Sequence, residues 1–231
     1  MLILLFLWQM GVLGPLSQGG ITGYVTQVGP SLIALALAIT VHEFSHGLVA
    51  TWFGDPTPRR AGRLTLNPIK HMDPVGTIMI LIRAPIGWGR PMPINPSLMR
   101  NGNLGWALSS AAGPISNVLA AIVVVVLLTL TNAQLDTLAG EVVAAFVLIN
   151  VRLAAFNLLP IPPLDGFGFI FGLAPMPLKV ALAPLFRYGP LILLAVLLLP
   201  GLQSYLQLFL NGAQRVIFTI VEGACQCRLI T

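Results

Sequence analysis

Five consecutive residues near the start of the chain, His42-Glu43-Phe44-Ser45-His46, have types and a spacing that could bind and use a metal ion. An α-helix has about 3.6 residues per turn, so side chains four positions apart lie on one face and both imidazoles can bind one ion. This H-E-x-x-H spacing suits Zn²⁺, which binds histidine nitrogen at about 2.0–2.1 Å. Glu43 is placed to take a proton from a metal-bound water. The pattern therefore predicts metal-assisted hydrolysis.

A catalytic zinc site needs a third protein ligand. The remaining histidine is His71, and the acidic candidates are Asp55, Asp73, Asp136, Glu141, Asp165 and Glu222. Asp165 follows a segment broken by prolines, and a broken helix frees backbone groups that in lipid require a functional cavity. Asp165 is therefore the preferred candidate. His71 is an alternative third ligand. The simpler expectation is that it makes an ordinary polar contact in the loop.

The composition places these residues in a membrane. Hydrophobic residues make up 56% of the 231 residues and charged residues 8%, and the mean hydropathy is +0.90. A soluble domain has about a quarter of its residues charged, and a disordered chain has low hydrophobicity. Both classes are excluded. Since each crossing takes roughly 20 apolar residues, the length provides for about five or six spans.

The apolar runs predict an all-α polytopic membrane protein with about six transmembrane helices. The runs are residues 1–13, 31–53, 104–130, 139–159, 178–199 and 202–221. The first is short for a full crossing and is read as a retained segment rather than a signal peptide. No internal repeat is visible. We expect one domain over residues 1–231, with a core at 31–166, a loop at 54–103 and a C-terminal helix pair at 178–222.

The loop at 54–103 is rich in proline, which excludes a continuous helix. Residues 75–82 are β-branched and apolar, and Gly87-Trp88-Gly89 separates them from a second extended piece at 90–94. These features predict a membrane-reentrant β-hairpin between the second and third spans. Such backbone survives at membrane depth only when it is buried in protein or lines a wet cavity.

The basic residues indicate how the chain crosses the membrane. The net charge is +5, and the loop contains Arg59, Arg60, Arg63, Lys70, Arg83, Arg90 and Arg100. Basic loops between apolar spans are typical of the cytoplasmic side. No accompanying pattern indicates nucleic-acid binding. In this orientation His46 lies roughly 10 Å from the cytoplasmic helix end, at about 1.5 Å per residue. Asp165 follows a span that returns to the same side, whereas Asp136 and Glu141 fall at the opposite face.

Together these residues resemble the site-2 proteases, which are intramembrane zinc metalloproteases that share H-E-x-x-H and an N-x-x-P-x-P-x-L-D-G stretch. Residues 157–166 read N-L-L-P-I-P-P-L-D-G, and residues 113–117 read G-P-I-S-N, similar to the family's G-P-x-x-N element. Residues 66–76 and 87–96 are similar to its reentrant β-hairpin region. The resemblance covers most of residues 31–166. Neither a PDZ insertion nor a nucleotide-sensing domain is recognisable, so we expect a compact form.

The resemblance implies that one zinc ion is bound by His42, His46 and Asp165 and that Glu43 is the general base. It implies hydrolysis of a peptide bond within or near a transmembrane helix of a single-pass membrane-protein substrate, as in regulated intramembrane proteolysis. The expected surroundings are the lipid bilayer of a prokaryotic plasma membrane, with the active site towards the cytoplasm.

Three further residues are expected to bind the substrate. Asn117 and Asn157 look like the family's polar residues near the substrate, and the alternative for each is an interhelical hydrogen bond. A helical substrate hides its carbonyl groups, so it must be unwound and held extended. We expect residues 75–82, including Ile80, to bind it as an added strand. A hairpin that only fills space in the bundle is the alternative.

Two functions from other classes also accommodate intramembrane His, Glu and Asp. A transporter would use them as an ion path, but it predicts two similar halves with matching broken helices, and this chain shows one broken segment. A non-catalytic zinc-binding scaffold is the other alternative. Glu43 discriminates against it, because a structural site gains little from an unliganded carboxylate beside the metal.

Overall fold

The computed structural model describes residues 20–81, 89–131 and 138–225 and is built from helices. In chain order the α-helices are α1 (Gly20–Trp52), α2 (Thr57–Arg60), α3 (Pro74–Leu81), α4 (Gly102–Thr131), α5 (Leu138–Asn157), α6 (Asp165–Leu173), α7 (Met176–Leu198) and α8 (Pro200–Cys225). Short 3-10 helices occupy Pro68–Lys70 and Pro96–Leu98. Within these residues no β-strand occurs, so the described part of the chain has the predicted helical class.

Among the described residues, four helical stretches are long and apolar enough to cross a membrane, namely Gly29–Trp52, Gly102–Thr131, Leu138–Asn157 and Met176–Leu198. They coincide with four of the runs predicted from the sequence. The predicted run at 1–13 lies outside the described residues. The run at 202–221 is helical, as part of α8, but is not one of these four. The predicted count of about six spans is therefore not confirmed.

One side of α4 is apolar and open. Ile115, Leu119, Val123 and Leu127 follow one another at four-residue intervals, and each is more than half exposed. Residues at this spacing form a stripe along one helix face. A contiguous exposed apolar surface of this kind marks a contact with membrane or protein. The stripe is therefore suited to contact with lipid acyl chains.

The interior lies where α1, α4 and α5 pack against one another. Helix α5 contributes the bulky side chains of Ile149, Leu153 and Phe156, all with at most 1% of their surface exposed. Helix α1 contributes Ala34 and Ala38, which are completely buried. Small residues let helix backbones approach closely. The polar residues of α1 therefore lie inside this three-helix core.

The short helix α6, which begins at Asp165, packs on α4 through glycines. A Cβ atom added to Gly172 would lie 2.7 Å from the Cβ of Ala107, and one added to Gly168 would lie 2.6 Å from Ser110 Oγ. Both distances are far below van der Waals contact, so only glycine permits this approach. This close packing fixes the position of Asp165 relative to α4.

The predicted β-hairpin is wrong for the described part of its first strand, because residues 74–81 form helix α3. Gly76 N donates to Asp73 Oδ1 at 3.0 Å, and Thr77 N donates to the main-chain oxygen of Asp73 at 2.8 Å. These bonds cap the start of a helix, and Pro74 suits its first position. The cap therefore favours a helix more strongly than the β-branched residues favour a strand. Ile80 therefore lies in a helix, not in a strand that could pair with a substrate; residue 82 lies outside the described residues.

The predicted second piece of the hairpin, residues 90–94, belongs to no helix or strand. A single antiparallel bridge joins Met72 and Gly89, which lie just outside the two predicted pieces, so the described residues do not show the predicted pairing. The segment is held by main-chain hydrogen bonds: Arg90 N donates to His71 O at 2.9 Å, and Asn95 N, just after the segment, donates to the buried Asp55 Oδ2 at 2.7 Å. Asp55 therefore ties the segment to the end of α1.

Replacing Gly172 by alanine should destabilise the protein, because the added methyl group is forced between α6 and α4. Overpacking of this kind costs typically about 1–3 kcal/mol. Thermal unfolding in detergent measures the loss. Gly223→Ala is the matched control, because a Cβ atom there would meet nothing within 4 Å. Equal unfolding temperatures for the two variants would contradict this account of the α4–α6 contact.

Candidate active site

The three predicted metal ligands converge on one point. His42 and His46 lie one turn apart on α1, with their Nε2 atoms 3.0 Å apart. Asp165 Oδ2, from the first turn of α6, lies 3.1 Å from His42 Nε2 and 3.3 Å from His46 Nε2. Both histidines are buried. Two segments that are distant in sequence thus meet, as the H-E-x-x-H and L-D-G patterns predict.

The outer nitrogen of His46 is bound to α4. His46 Nδ1 lies 2.6 Å from the main-chain oxygen of Ser109, which can only accept, so the imidazole donates. In return, Ser109 Oγ donates to the main-chain oxygen of His46 at 3.0 Å. The second ring nitrogen, Nε2, therefore carries the lone pair in the neutral ring.

The outer nitrogen of His42 is bound to an asparagine further along α4. His42 Nδ1 lies 2.6 Å from Asn117 Oδ1. The amide nitrogen of Asn117 donates to Ala38 O at 3.2 Å and to Asn150 Oδ1 at 2.7 Å. These two acceptors identify the amide oxygen as the atom that faces His42. His42 therefore also donates through Nδ1 and holds a lone pair on Nε2.

This arrangement fits a bound divalent metal. Two lone pairs point towards each other and towards Asp165 Oδ2, which is buried and receives no hydrogen bond in the described structure. A cation is needed to make such a cluster favourable, and a single proton bridges only two of the three atoms. Tetrahedral zinc with bonds of about 2.0–2.1 Å holds its ligand atoms about 3.3 Å apart. Metal-bound histidines commonly donate their other nitrogen to a carbonyl group, as both do here.

Glu43 and Asn157 line a cavity of about 690 Å³ beside this cluster. Met92 N donates to Glu43 Oε2 at 2.6 Å, which fixes one oxygen of the carboxylate at the cavity wall. The Nδ2 group of Asn157 donates to Leu153 O at 2.9 Å on its own helix. Most of the remaining lining is apolar, including Trp106, Phe156 and Phe186.

The other predicted residues have different surroundings. Asn117 is completely buried and all its amide bonds are made to the protein, an arrangement that matches the interhelical alternative and not contact with a substrate. His71 stands apart from the cluster, and its Nε2 lies 2.7 Å from Thr65 O. That contact is the simple polar role considered for it.

Two residues near the cluster were not predicted. Asn150 is completely buried and contacts Asn117; it lies seven residues before Asn157, on the same face of α5, and this spacing was a usable signal. Arg63 is also buried, and its Nη2 donates to Arg90 O at 2.6 Å. Burial lowers the pKa of Arg63, and the nearby Glu43 carboxylate acts in the opposite direction. No sequence pattern distinguishes Arg63 from the other basic residues of the loop.

The fold and the site define a membrane protein of the metalloprotease class. The chain is 40% identical over 202 residues to "Putative zinc metalloprotease YwhC" of Bacillus subtilis (strain 168), covering 84% of this chain and 92% of the relative. It is 31% identical over 192 residues to "Putative zinc metalloprotease Rip2" of Mycolicibacterium smegmatis, covering 78% and 72%. For Rip2 of Mycobacterium tuberculosis (H37Rv) the identity is 29% over 205 residues, covering 86% and 76%.

No protein-family model matches the chain, and no solved structure matches it significantly. The chain resembles YwhC over most of its length and contains the site described above. It therefore belongs to the site-2 protease family.

Replacing Gly113 by alanine should strongly reduce metal binding. A Cβ atom on Gly113 would overlap His46 Nε2 and would lie 2.6 Å from His42 Cε1, so both imidazoles must turn away. Zinc content after purification in detergent measures the effect, and we expect a loss of most of the bound metal. Gly212→Ala on α8 is the control, since nothing lies within 4 Å of its added Cβ. Full zinc occupancy in the folded Gly113→Ala protein would argue against this metal site.

Proposed function

We propose that this protein is an intramembrane zinc metalloprotease that cleaves a membrane-protein substrate within or near a transmembrane helix, in regulated intramembrane proteolysis. The observation that carries the proposal is the convergence of His42, His46 and Asp165 beside Glu43, at the wall of a largely apolar cavity. Hydrolysis within a membrane requires such a cavity, because the reacting groups must be shielded from lipid.

The metal in this proposal is one zinc ion, held by His42, His46 and Asp165. When bound, zinc supplies Lewis acidity, which activates water and polarises a carbonyl group. A structural zinc site has four protein ligands, whereas a catalytic site has three and keeps one position open. The described residues provide a group of three, which favours catalysis over the scaffold function.

Glu43 would act as the general base and then as the acid. It would accept a proton from the attacking water and deliver it to the nitrogen of the leaving amine. The hydrogen bond from Met92 N holds one carboxylate oxygen. The other oxygen has no hydrogen-bond partner within the described residues and so stays available for this transfer.

The substrate would be an unwound, extended stretch of a transmembrane helix in a single-pass protein. A volume of about 690 Å³ lies in the range of binding cavities, which is roughly 300–1,000 Å³. The apolar lining suits the side chains of a membrane segment. Asn157 uses its amide nitrogen within α5, so its oxygen is the group that would accept a hydrogen bond from a peptide N–H. This keeps Asn157 as a proposed substrate-binding residue.

The site would lie towards the cytoplasmic side of a prokaryotic plasma membrane. Helix α1 ends at Trp52 and is followed by Arg59 and Arg60, both exposed. Arg100, just before α4, donates from its Nη2 to Trp52 O at 2.8 Å. Basic residues gathered at one end of the spans favour the cytoplasm for that end. His46 lies about 9 Å inside the end of α1, at about 1.5 Å per residue.

Glu43→Gln tests the proposed activity. The amide keeps the volume and can still accept the hydrogen bond from Met92 N, but it cannot take a proton. We expect cleavage of a fluorescent transmembrane peptide in detergent to fall by about 10²–10⁴-fold, the usual contribution of a general base, while zinc content stays unchanged.

Glu141→Gln is the matched control, since Glu141 is exposed in the first turn of α5. It should cleave at the normal rate. Undiminished cleavage by Glu43→Gln would overturn the assigned role. Membrane-protein fragments that appear with the active form and not with Glu43→Gln would identify the natural substrate.

A further inference from the structure

A chain of hydrogen bonds runs from α5 through α4 to the first histidine of the site. Asn150 Nδ2 donates to Phe146 O at 2.8 Å on its own helix. Asn150 Oδ1 accepts from Asn117 Nδ2 at 2.7 Å, and Asn117 Oδ1 accepts from His42 Nδ1 at 2.6 Å. Both asparagines are completely buried. Each bond therefore fixes the direction of the next.

The first of these hydrogen bonds determines the direction of the others, because its acceptor can only accept. A main-chain oxygen such as Phe146 O can only accept, so the amide nitrogen of Asn150 must face it and the amide oxygen must face Asn117. Asn117 then presents nitrogen to Asn150 and oxygen to His42. Its remaining partner, Ala38 O, supports the same orientation through a longer bond of 3.2 Å.

We propose that Asn150 is a positioning residue that fixes the tautomer of His42 by orienting the side-chain amide of Asn117. The proposal rests on the proposed zinc site. Asn150 does not approach the metal ligands itself, and it acts through Asn117. Its effect is to keep the hydrogen of His42 on Nδ1 and the lone pair on Nε2, where it can bind the metal.

The orientation matters because a competing state exists without metal. If the amide of Asn117 turned over, its nitrogen would face His42 Nδ1, and the histidine would then carry its hydrogen on Nε2. That hydrogen could bond to Asp165 Oδ2, which lies 3.1 Å away. His42 and Asp165 would then be bonded to each other with no ion, with only the lone pair of His46 Nε2 left unpaired, and His42 could not bind a metal. Asn150 disfavours this state, because the turned amide would bring two oxygens together.

Asn150→Leu removes the shorter of the two bonds made by Asn117 Nδ2 and leaves only the 3.2 Å bond to Ala38 O, so it should allow the amide of Asn117 to turn over. The chain has three histidines, so ¹⁵N labelling of histidine gives a spectrum simple enough to assign. In the metal-free protein in detergent, at a pH where the imidazoles are neutral, we expect the Nε2–H tautomer of His42 to gain population. Zinc affinity, measured by competition with a chromogenic chelator, should fall by about 10–100-fold, as for other residues that orient metal ligands.

His46 is an internal control in the same sample. Its Nδ1 donates to the main-chain oxygen of Ser109, which cannot turn over, so its tautomer should not change. Thr129→Val on α4 is the control variant, because within the described residues the hydroxyl of Thr129 bonds to Val125 O on its own helix and to no other group. It should alter neither the tautomer of His42 nor zinc affinity.

Two results would overturn the proposal. In one, Asn150→Leu leaves the tautomer of His42 and zinc affinity as in the wild type. In the other, His42 and His46 change together, which indicates general loosening of the core rather than release of one amide. Both readouts are independent of proteolysis. A failure of the Glu43→Gln test would therefore contradict the proposed activity alone. The tautomer prediction would still be decided by its own two measurements.

Discussion

Two imidazole lone pairs and a carboxylate oxygen face one another within 3.3 Å in the interior of this protein, and the surrounding structure has to hold them there. None of the three atoms can donate to another in the tautomers that the outer hydrogen bonds impose. Such a cluster is repulsive by itself and becomes favourable around a cation. The hydrogen bonds that turn both Nε2 atoms inward therefore give the H-E-x-x-H helix an arrangement suited to a metal ion.

Helices α1 and α4 hold these atoms in place because, on each helix, the residues involved lie four positions apart. Along α1 the sequence runs from His42 to His46, and along α4 it runs from Ser109 through Gly113 to Asn117. Ser109 bonds to His46 and Asn117 bonds to His42, so the two helices run antiparallel at this contact. Gly113 lies midway and leaves the space that both rings occupy. One face of α4 thus provides both the acceptors and the room that the imidazoles need.

The meeting of the three candidate ligands could be predicted from the sequence, whereas the residues that support them largely could not. The pairing of His42 with His46 follows from helical periodicity, and Asp165 follows from the proline-broken end of a predicted span. The roles of Gly113 and Asn150 depend on which face of α4 or α5 turns inward, and non-local packing decides that. Helix α3 differs from the sequence prediction for a local reason. The β-branched residues after Pro74 favour a strand, but the cap at Asp73 and Pro74, which is also present in the sequence, starts a helix.

The polar network contributes specificity more than stability. A hydrogen bond between membrane helices is worth about 0.6 kcal/mol on average, because an unfolded chain in the membrane also finds partners. The bonds of Asn117 and Asn150 therefore add little to the free energy of folding, for which close packing between helices is the larger source in a membrane. Polar partners left unmatched in the same place are costly. The network is thus a constraint on which arrangement of side chains is allowed, and the allowed arrangement is the one that leaves both Nε2 atoms free for a metal.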